Sequence, residues 1–272
     1  MYSLITFDMD GTLLDPSHKI SQKTLDAIKR CAASGKTAAL CTGRSVSELK
    51  EYLPGLCPYV RYAVCASGAL GWDLLENKKI FSDSMTPETA IKAMDIAARF
   101  SPMTHFLSDY SIMQKSQWEH LENYNMGQYR ELYESEATMV EDITEMYKSS
   151  PFPLEKLNFY NRSPEARALL KDAIKKEGLP VEMRYAETAS LELSPLGVTK
   201  GTGLLSLCRY LGISPAEAVS VGDSENDTDA FKVSGMGVAM GNAPEAVKAA
   251  AGLVVSDNAH DGCADAIEKL ML

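Results

Sequence analysis

Two acids stand one residue apart in the stretch Phe7-Asp8-Met9-Asp10-Gly11-Thr12, directly after the apolar run Leu4–Phe7. Carboxylates held this close repel each other and raise each other's pKa, so the pair calls for a compensating charge, a divalent cation first of all. Three more stretches carry residues of matching chemistry: Cys41-Thr42-Gly43-Arg44-Ser45, Thr199-Lys200-Gly201, and the acidic run from Gly222 to Phe231. Asp8, Asp10 and Asp223 are hard oxygen ligands suited to Mg²⁺, which prefers octahedral oxygen coordination. Thr42 offers a hydroxyl and a backbone N–H, and Gly43 lets the chain approach an anion closely. Lys200, at the start of a helix, adds a point charge beside free N–H groups. Asn226 can donate its amide to the same anion.

Carboxylates, Mg²⁺ and phosphate donors together point to phosphoryl transfer. One Asp can attack phosphorus to form an aspartyl-phosphate, while the cation and Lys200 stabilise the equatorial oxygens. Asp10 could protonate the leaving oxygen and then deprotonate the attacking water. Plainer roles stand beside these. Asp8 and Asp10 could shape a turn, Thr42-Gly43 could simply join a strand to a helix, and Lys200 by itself is an ordinary helix-start lysine. Asp227 and Asp229 could be first-turn acids that favour the helix dipole, the reading preferred for Asp229. His18, His105, His120 and His260 show no ligand spacing and read as surface or packing residues.

The elements that must position these residues alternate in type. Strands are predicted at Leu4–Phe7, Thr37–Cys41 and Tyr62–Cys65, with a helix over Ser21–Ser34 capped by Ser21 and a short helix over Val46–Tyr52. Strand–helix alternation implies a parallel sheet, whose carboxyl strand ends converge on one crevice. Near Ser84 the pattern changes to helix, paired strands, helix, paired strands, which suggests α+β with an antiparallel sheet. Alternation returns from Thr199. The expected architecture is α/β, a Rossmann-like parallel-sheet core over 1–83 and 195–272 with an α+β domain inserted over 84–194.

In this order, Asp8-Met9-Asp10-Gly11-Thr12, Cys41-Thr42-Gly43-Arg44, Lys200 and Gly222-Asp223-Ser224-Glu225-Asn226-Asp227 resemble the four motifs of the haloacid dehalogenase superfamily. The insert, with Gly237–Ala243 and Asp257–Gly262, resembles its Cof-type (subclass IIB) phosphatases, whose inserted cap is of the C2 type. The resemblance implies Asp8 as nucleophile and metal ligand, and Asp10 as acid/base with its backbone carbonyl on the metal. It implies Thr42, Gly43 and Lys200 at the phosphoryl group, with Arg44 nearby, Asp223 on Mg²⁺, Asn226 on phosphate, and Asp227 orienting metal waters or Lys200. It also implies a cap that closes over the crevice and excludes water. Two positions depart from the pattern: Ser67-Gly68 stands where relatives often carry Asn-Gly, and Ala230 where a methionine is common.

The expected function is a Mg²⁺-dependent phosphatase for small phosphomonoesters, sugar phosphates first. The alternatives are a phosphotransferase or sugar-phosphate mutase with the same core chemistry, or a non-catalytic phosphometabolite-binding module. A net charge of −10 argues against nucleic acid, whose backbone needs clustered Lys and Arg. Six cysteines without metal or disulfide spacing fit reduced thiols and a cytoplasmic protein. No apolar run is long enough to span a membrane. The expected assembly is a monomer or a weak homo-oligomer.

Overall fold

The computed structural model describes residues 2–185 and 188–272. They fall into two compact units. The first comprises the chain up to Gly43, Glu51–Ser82 and Val198–Leu272; the second comprises Arg44–Lys50 and Asp83–Gly197.

In chain order the first unit begins with β1 (Leu4–Phe7), β2 (Thr37–Cys41), β3 (Val60–Cys65), β4 (Leu70–Asp73) and β5 (Lys78–Ser82). The second unit supplies β6 (Met103–Leu107), β7 (Ser111–Gln114), β8 (Ala137–Val140), β9 (Lys156–Tyr160), β10 (Val181–Arg184) and β11 (Ser190–Pro195). The chain then returns to the first unit with β12 (Ala218–Gly222), β13 (Met236–Ala239) and β14 (Leu253–Val254). The protein is thus α/β, built on a central parallel sheet with helices.

The first sheet runs β14-β13-β12-β1-β2-β3-β4-β5. Leu4, Ile5 and Phe7 of β1 are fully buried, as expected for a central parallel strand covered on both faces. Phe7 lies opposite Leu40 of β2 on one side and Val221 of β12 on the other. The carboxyl ends of these three strands are therefore in line. Because β2 and β12 flank β1 on opposite sides, the strand order reverses there, and such a switch point opens a ligand crevice in open α/β sheets. The flanking helices start where the sequence places caps. Ser21 accepts the Thr24 N–H (3.1 Å) ahead of the helix Gln22–Ala33, a contact worth about 1 kcal/mol. Thr199 and Thr202 exchange hydrogen bonds at the start of Lys200–Leu211.

Two expectations need correction here. The sheet is not wholly parallel: β4 and β5 add an antiparallel hairpin to its edge. The helix predicted over Val46–Tyr52 is instead a single 3₁₀ turn, Ser47–Leu49, followed by a short helix at Leu53–Leu56.

The second sheet runs β10-β11-β9-β6-β7-β8, antiparallel except that β7 and β8 are parallel, so an all-antiparallel insert does not hold. Leu157, Phe159, Leu191, Leu193 and Phe106 belong to an apolar core with Ala93, Tyr147 and Ile174. The alternate residues Lys156, Asn158, Tyr160, Glu192, His105 and Ser111 share the other face, following the period-two pleat. Within 124–150, Tyr124, Met126 and Tyr133 pack with Met103, Met113 and Tyr160.

Candidate active site

Asp8 follows β1, Thr42 follows β2 and Asp223 follows β12, so three of the four motifs start at adjacent strand ends. The fourth, Lys200, is the first residue of its helix. Its ammonium is buried, 2.9 Å from Asp8 Oδ1 and 2.7 Å from Asp227 Oδ1. One cation thus bridges two carboxylates. Asp227 Oδ2 accepts from the Asp223 N–H (3.0 Å), the Ser224 N–H (2.9 Å) and the Ser224 hydroxyl (3.2 Å). Both Asp227 oxygens are occupied, and its geometry is that of a brace holding Lys200 to the Gly222–Ser224 turn.

After Asp8 the chain turns sharply. Leu13 N–H donates to the Asp8 carbonyl and Leu14 N–H to that of Met9. Gly11 has φ +75°, and a Cβ there would lie 2.4 Å from Asp223 Oδ2. Only glycine fits, because the turn needs positive φ and the Asp223 carboxylate occupies the space a side chain would take. Thr12 fastens the same contact, its hydroxyl donating to Asp223 Oδ1 at 2.7 Å. Asp10 is partly exposed, with His18 Nδ1 3.9 Å from its Oδ1.

Thr42 is buried; its N–H donates to the Val64 carbonyl (2.8 Å) and its carbonyl accepts the Ser67 N–H (3.0 Å). Ser67 adopts φ +57° and its buried hydroxyl meets no hydrogen-bond partner among the described residues. Asn226, half-buried, accepts the Ser224 hydroxyl at 2.7 Å. Arg44 belongs to the second unit, where its guanidinium donates to the Glu48 carbonyl (3.3 Å). Asp229 sits in the first turn of the helix Thr228–Val233 beside Lys232, and Ala230 is packed into the core with Leu4, Cys41 and Leu204.

The charges around Asp8 do not balance. Carboxylate oxygens of Asp8, Asp223 and Asp227 lie within 4.8 Å of one another, against one lysine. Burial, opposed by Lys200 and reinforced by Asp227 and Asp223, pushes the Asp8 carboxyl up from 3.8 to about 8. Burial likewise raises Asp223 to about 6, against the pull of the Thr12 hydrogen bond. Burial works against the Lys200 ammonium, yet Asp227 and Asp8 outweigh it and hold its pKa above the ordinary lysine value. Such a cluster fits a hard divalent cation, which would supply the missing positive charge. The nearby Cys41 thiol is no rival nucleophile: burial pushes it up to about 12.

Sequence reasoning passed over Thr12, Ser224, Asn242 and Asn258. Ser224-Glu225-Asn226-Asp227 carries a readable signal, since a hydroxyl residue followed three places later by an acid is the pattern of a reciprocal cap. Thr12 and the two asparagines lie within stretches that carry the family resemblance, but their contacts span long sequence separations and no local pattern assigns them.

A switch-point crevice lined by a strand-end carboxylate pair, a buried lysine and a second acidic turn defines an enzyme of phosphoryl chemistry. The chain belongs to the haloacid dehalogenase-like hydrolases, whose family model matches residues 5–267, and it is of their Cof type, a hydrolase acting on phosphoric monoesters. It is 30% identical to the Bacillus subtilis protein YxeH, over 100% of this chain and 99% of that one. It is 29% identical to the phosphoglycolate phosphatase of Methanoculleus marisnigri, over 99% and 97% of the two chains. Among solved structures, the subclass IIB sugar phosphatase BT4131 superposes with a TM-score of 0.80 at 23% identity, covering 99% of this chain and 100% of that one. Among the described residues, no helix is long and apolar enough to cross a membrane.

Proposed function

We propose that the protein is a Mg²⁺-dependent phosphatase of small phosphomonoesters, sugar phosphates first, working through a phosphoryl group carried on Asp8. The observation that carries this reading is the buried Lys200 bridging Asp8 and Asp227 beside Asp223, an arrangement that a binding module would not need. In the first step an Asp8 oxygen bonds to phosphorus, the bond from phosphorus to the alcohol oxygen breaks, and Asp10 passes its proton to that oxygen. In the second step a water oxygen bonds to phosphorus as the bond to Asp8 breaks, and the water proton goes to Asp10. Lys200, the Thr42 hydroxyl, the Gly43 N–H and the Asn226 amide hold the phosphoryl oxygens. Asp227 holds Lys200. Asp8, Asp223 and the Asp10 carbonyl would hold Mg²⁺, which when bound supplies charge to neutralise the acids and to draw electrons from the phosphoryl group. The similarity to a sugar phosphatase supports trying sugar phosphates first; phosphoglycolate is the second class to try. The six free cysteines, five of them buried, suit a reducing cytoplasm.

The test is hydrolysis of an aryl phosphate with Mg²⁺ and with chelator, in the wild type and in Asp8→Asn. Metal-dependent phosphate release without any added alcohol acceptor, lost in the variant, is the expected result. Release that needs an acceptor would make the protein a transferase, and turnover undiminished in Asp8→Asn would refute the assignment.

A further inference from the structure

Two asparagines far along the chain hold the turn that carries Asp10. The side-chain amide of Asn242 donates to the Gly11 carbonyl at 2.8 Å, and that of Asn258 donates to the Leu14 carbonyl at 2.8 Å. The two are themselves joined, the Asn258 N–H donating to Asn242 Oδ1 at 3.1 Å. Asn242 follows β13 and Asn258 follows β14, and the loops that carry them are tied by the Gly241 N–H to the Ser256 carbonyl (3.2 Å). Lacking room for a side chain, Gly241 permits this approach: a Cβ there would lie 2.8 Å from the Asp257 nitrogen. The Cys263 thiol adds a contact to the Thr12 carbonyl at 3.4 Å.

We propose that Asn242 and Asn258 are positioning residues for Asp10. Asp8 needs no such help, because it lies at the end of a paired central strand with its N–H on the Val221 carbonyl. Asp10 lies beyond the strand, in a turn where φ changes sign between it and Gly11. The two amides clamp that turn at Gly11, one residue past Asp10, and at Leu14, four residues past it. The linked pair makes one brace of two strand-end loops, so the direction of the Asp10 carboxyl depends on both. The proposal rests on the reading of Asp10 as the proton donor to the leaving oxygen.

The experiment compares two substrates whose leaving groups differ in their need for that proton. Dinitrophenyl phosphate departs as a stable anion, whereas glucose phosphate departs as an alkoxide unless protonated. Each is measured at saturating Mg²⁺ with the wild type, Asn242→Ala, Asn258→Ala and Asp10→Asn. Taking the ratio of kcat/KM values on one preparation cancels any inactive fraction, and the two asparagine variants are read independently should one fail to fold. In Asp10→Asn, activity on glucose phosphate should fall about 10²–10⁴-fold, with a much smaller fall on dinitrophenyl phosphate. In both asparagine variants the ratio should shift in the same direction by about tenfold, a partial loss of the same effect. If Asp10→Asn shifts the ratio and the asparagine variants lower both substrates in equal proportion, the positioning role is refuted and the acid stands. A ratio unmoved by Asp10→Asn itself would remove the acid assignment and the positioning role with it.

Discussion

Each unit buries charged groups, and they settle them in different ways. In the second unit Lys156 Nζ lies 2.9 Å from Glu192 Oε1, the Asn158 amide donates to the Tyr160 hydroxyl, and Glu48 takes the Ser45 N–H. His105, 2.6 Å from the Ser111 hydroxyl, is driven down to about 4 by burial, against the pull of Glu48, and so stays neutral. That cluster is held by the Lys156–Glu192 pair and by a neutral His105, while Glu192 Oε2 and Asn158 Oδ1 meet no hydrogen-bond partner among the described residues. In the first unit three carboxylates meet one lysine, and Asp8 is pushed up to about 8. A fold that wanted only stability would not leave this imbalance, since buried charge is costly unless paired. The contrast teaches that the unsettled cluster is the working one.

The largest expected effect is on catalysis. Asp8→Asn should lower kcat by about 10⁴-fold or more, measured as phosphate release at saturating Mg²⁺. Next comes the response to removing one partner of a buried pair, which typically costs roughly 3–5 kcal/mol. Lys156→Met should lose stability of that order by urea denaturation, equally with and without Mg²⁺. The first unit should behave otherwise. Mg²⁺ at about 100 times its dissociation constant should stabilise the wild type by about 2.7 kcal/mol, and Asp223→Asn should lose most of that gain. A metal response in the second unit's variant different from wild type would break the comparison.

The smaller effects are opposite slopes with pH in metal-free protein. Asp8 is raised from 3.8 to about 8, so between those values the folded state holds a proton that the unfolded state has released. Its contribution is complete below pH 3.8 and is lost as pH rises through about 8. His105 is lowered from 6.5 to about 4, so there the unfolded state binds the extra proton. Its contribution is complete above pH 6.5 and is lost as pH falls through about 4. Melting temperatures across this range should show Asp8→Asn flattening the fall on the alkaline side, and His105→Asn flattening the fall on the acid side. If both substitutions flatten the same limb, the two clusters are not settled differently.

Much of the first unit was readable because its chemistry lies at the ends of short apolar runs. Leu4–Phe7 and Thr37–Cys41 have the predicted bounds, and the polar residue following each marks a crevice residue. Lys200 was readable only from its place between the insert and the acidic turn. The β4–β5 hairpin escaped because its turn, from Leu74 to Asn77, begins with two leucines, one of them exposed, and its fit depends on Gly71 lying under the Phe81 ring. The grouping of Arg44–Lys50 with the second unit also escaped. It rests on long-range partners such as Glu48 Oε1 and His105 Nε2, 3.6 Å apart, whereas the local sequence reads as the start of a helix. The asparagine brace is of the same kind, since Asn242 meets a carbonyl 231 residues away, which no local pattern encodes.

The central claim is that Asp8 carries the phosphoryl group, and trapping that group tests it most directly. The enzyme, mixed with excess aryl phosphate and Mg²⁺, is quenched in acid within a turnover and its peptides are mapped by mass. A phosphoryl mass on the peptide bearing Asp8, absent from Asp8→Asn, is the predicted result. A phosphoryl mass on any other residue, or turnover in which no phosphoryl mass forms on Asp8 at any quench time, would contradict it.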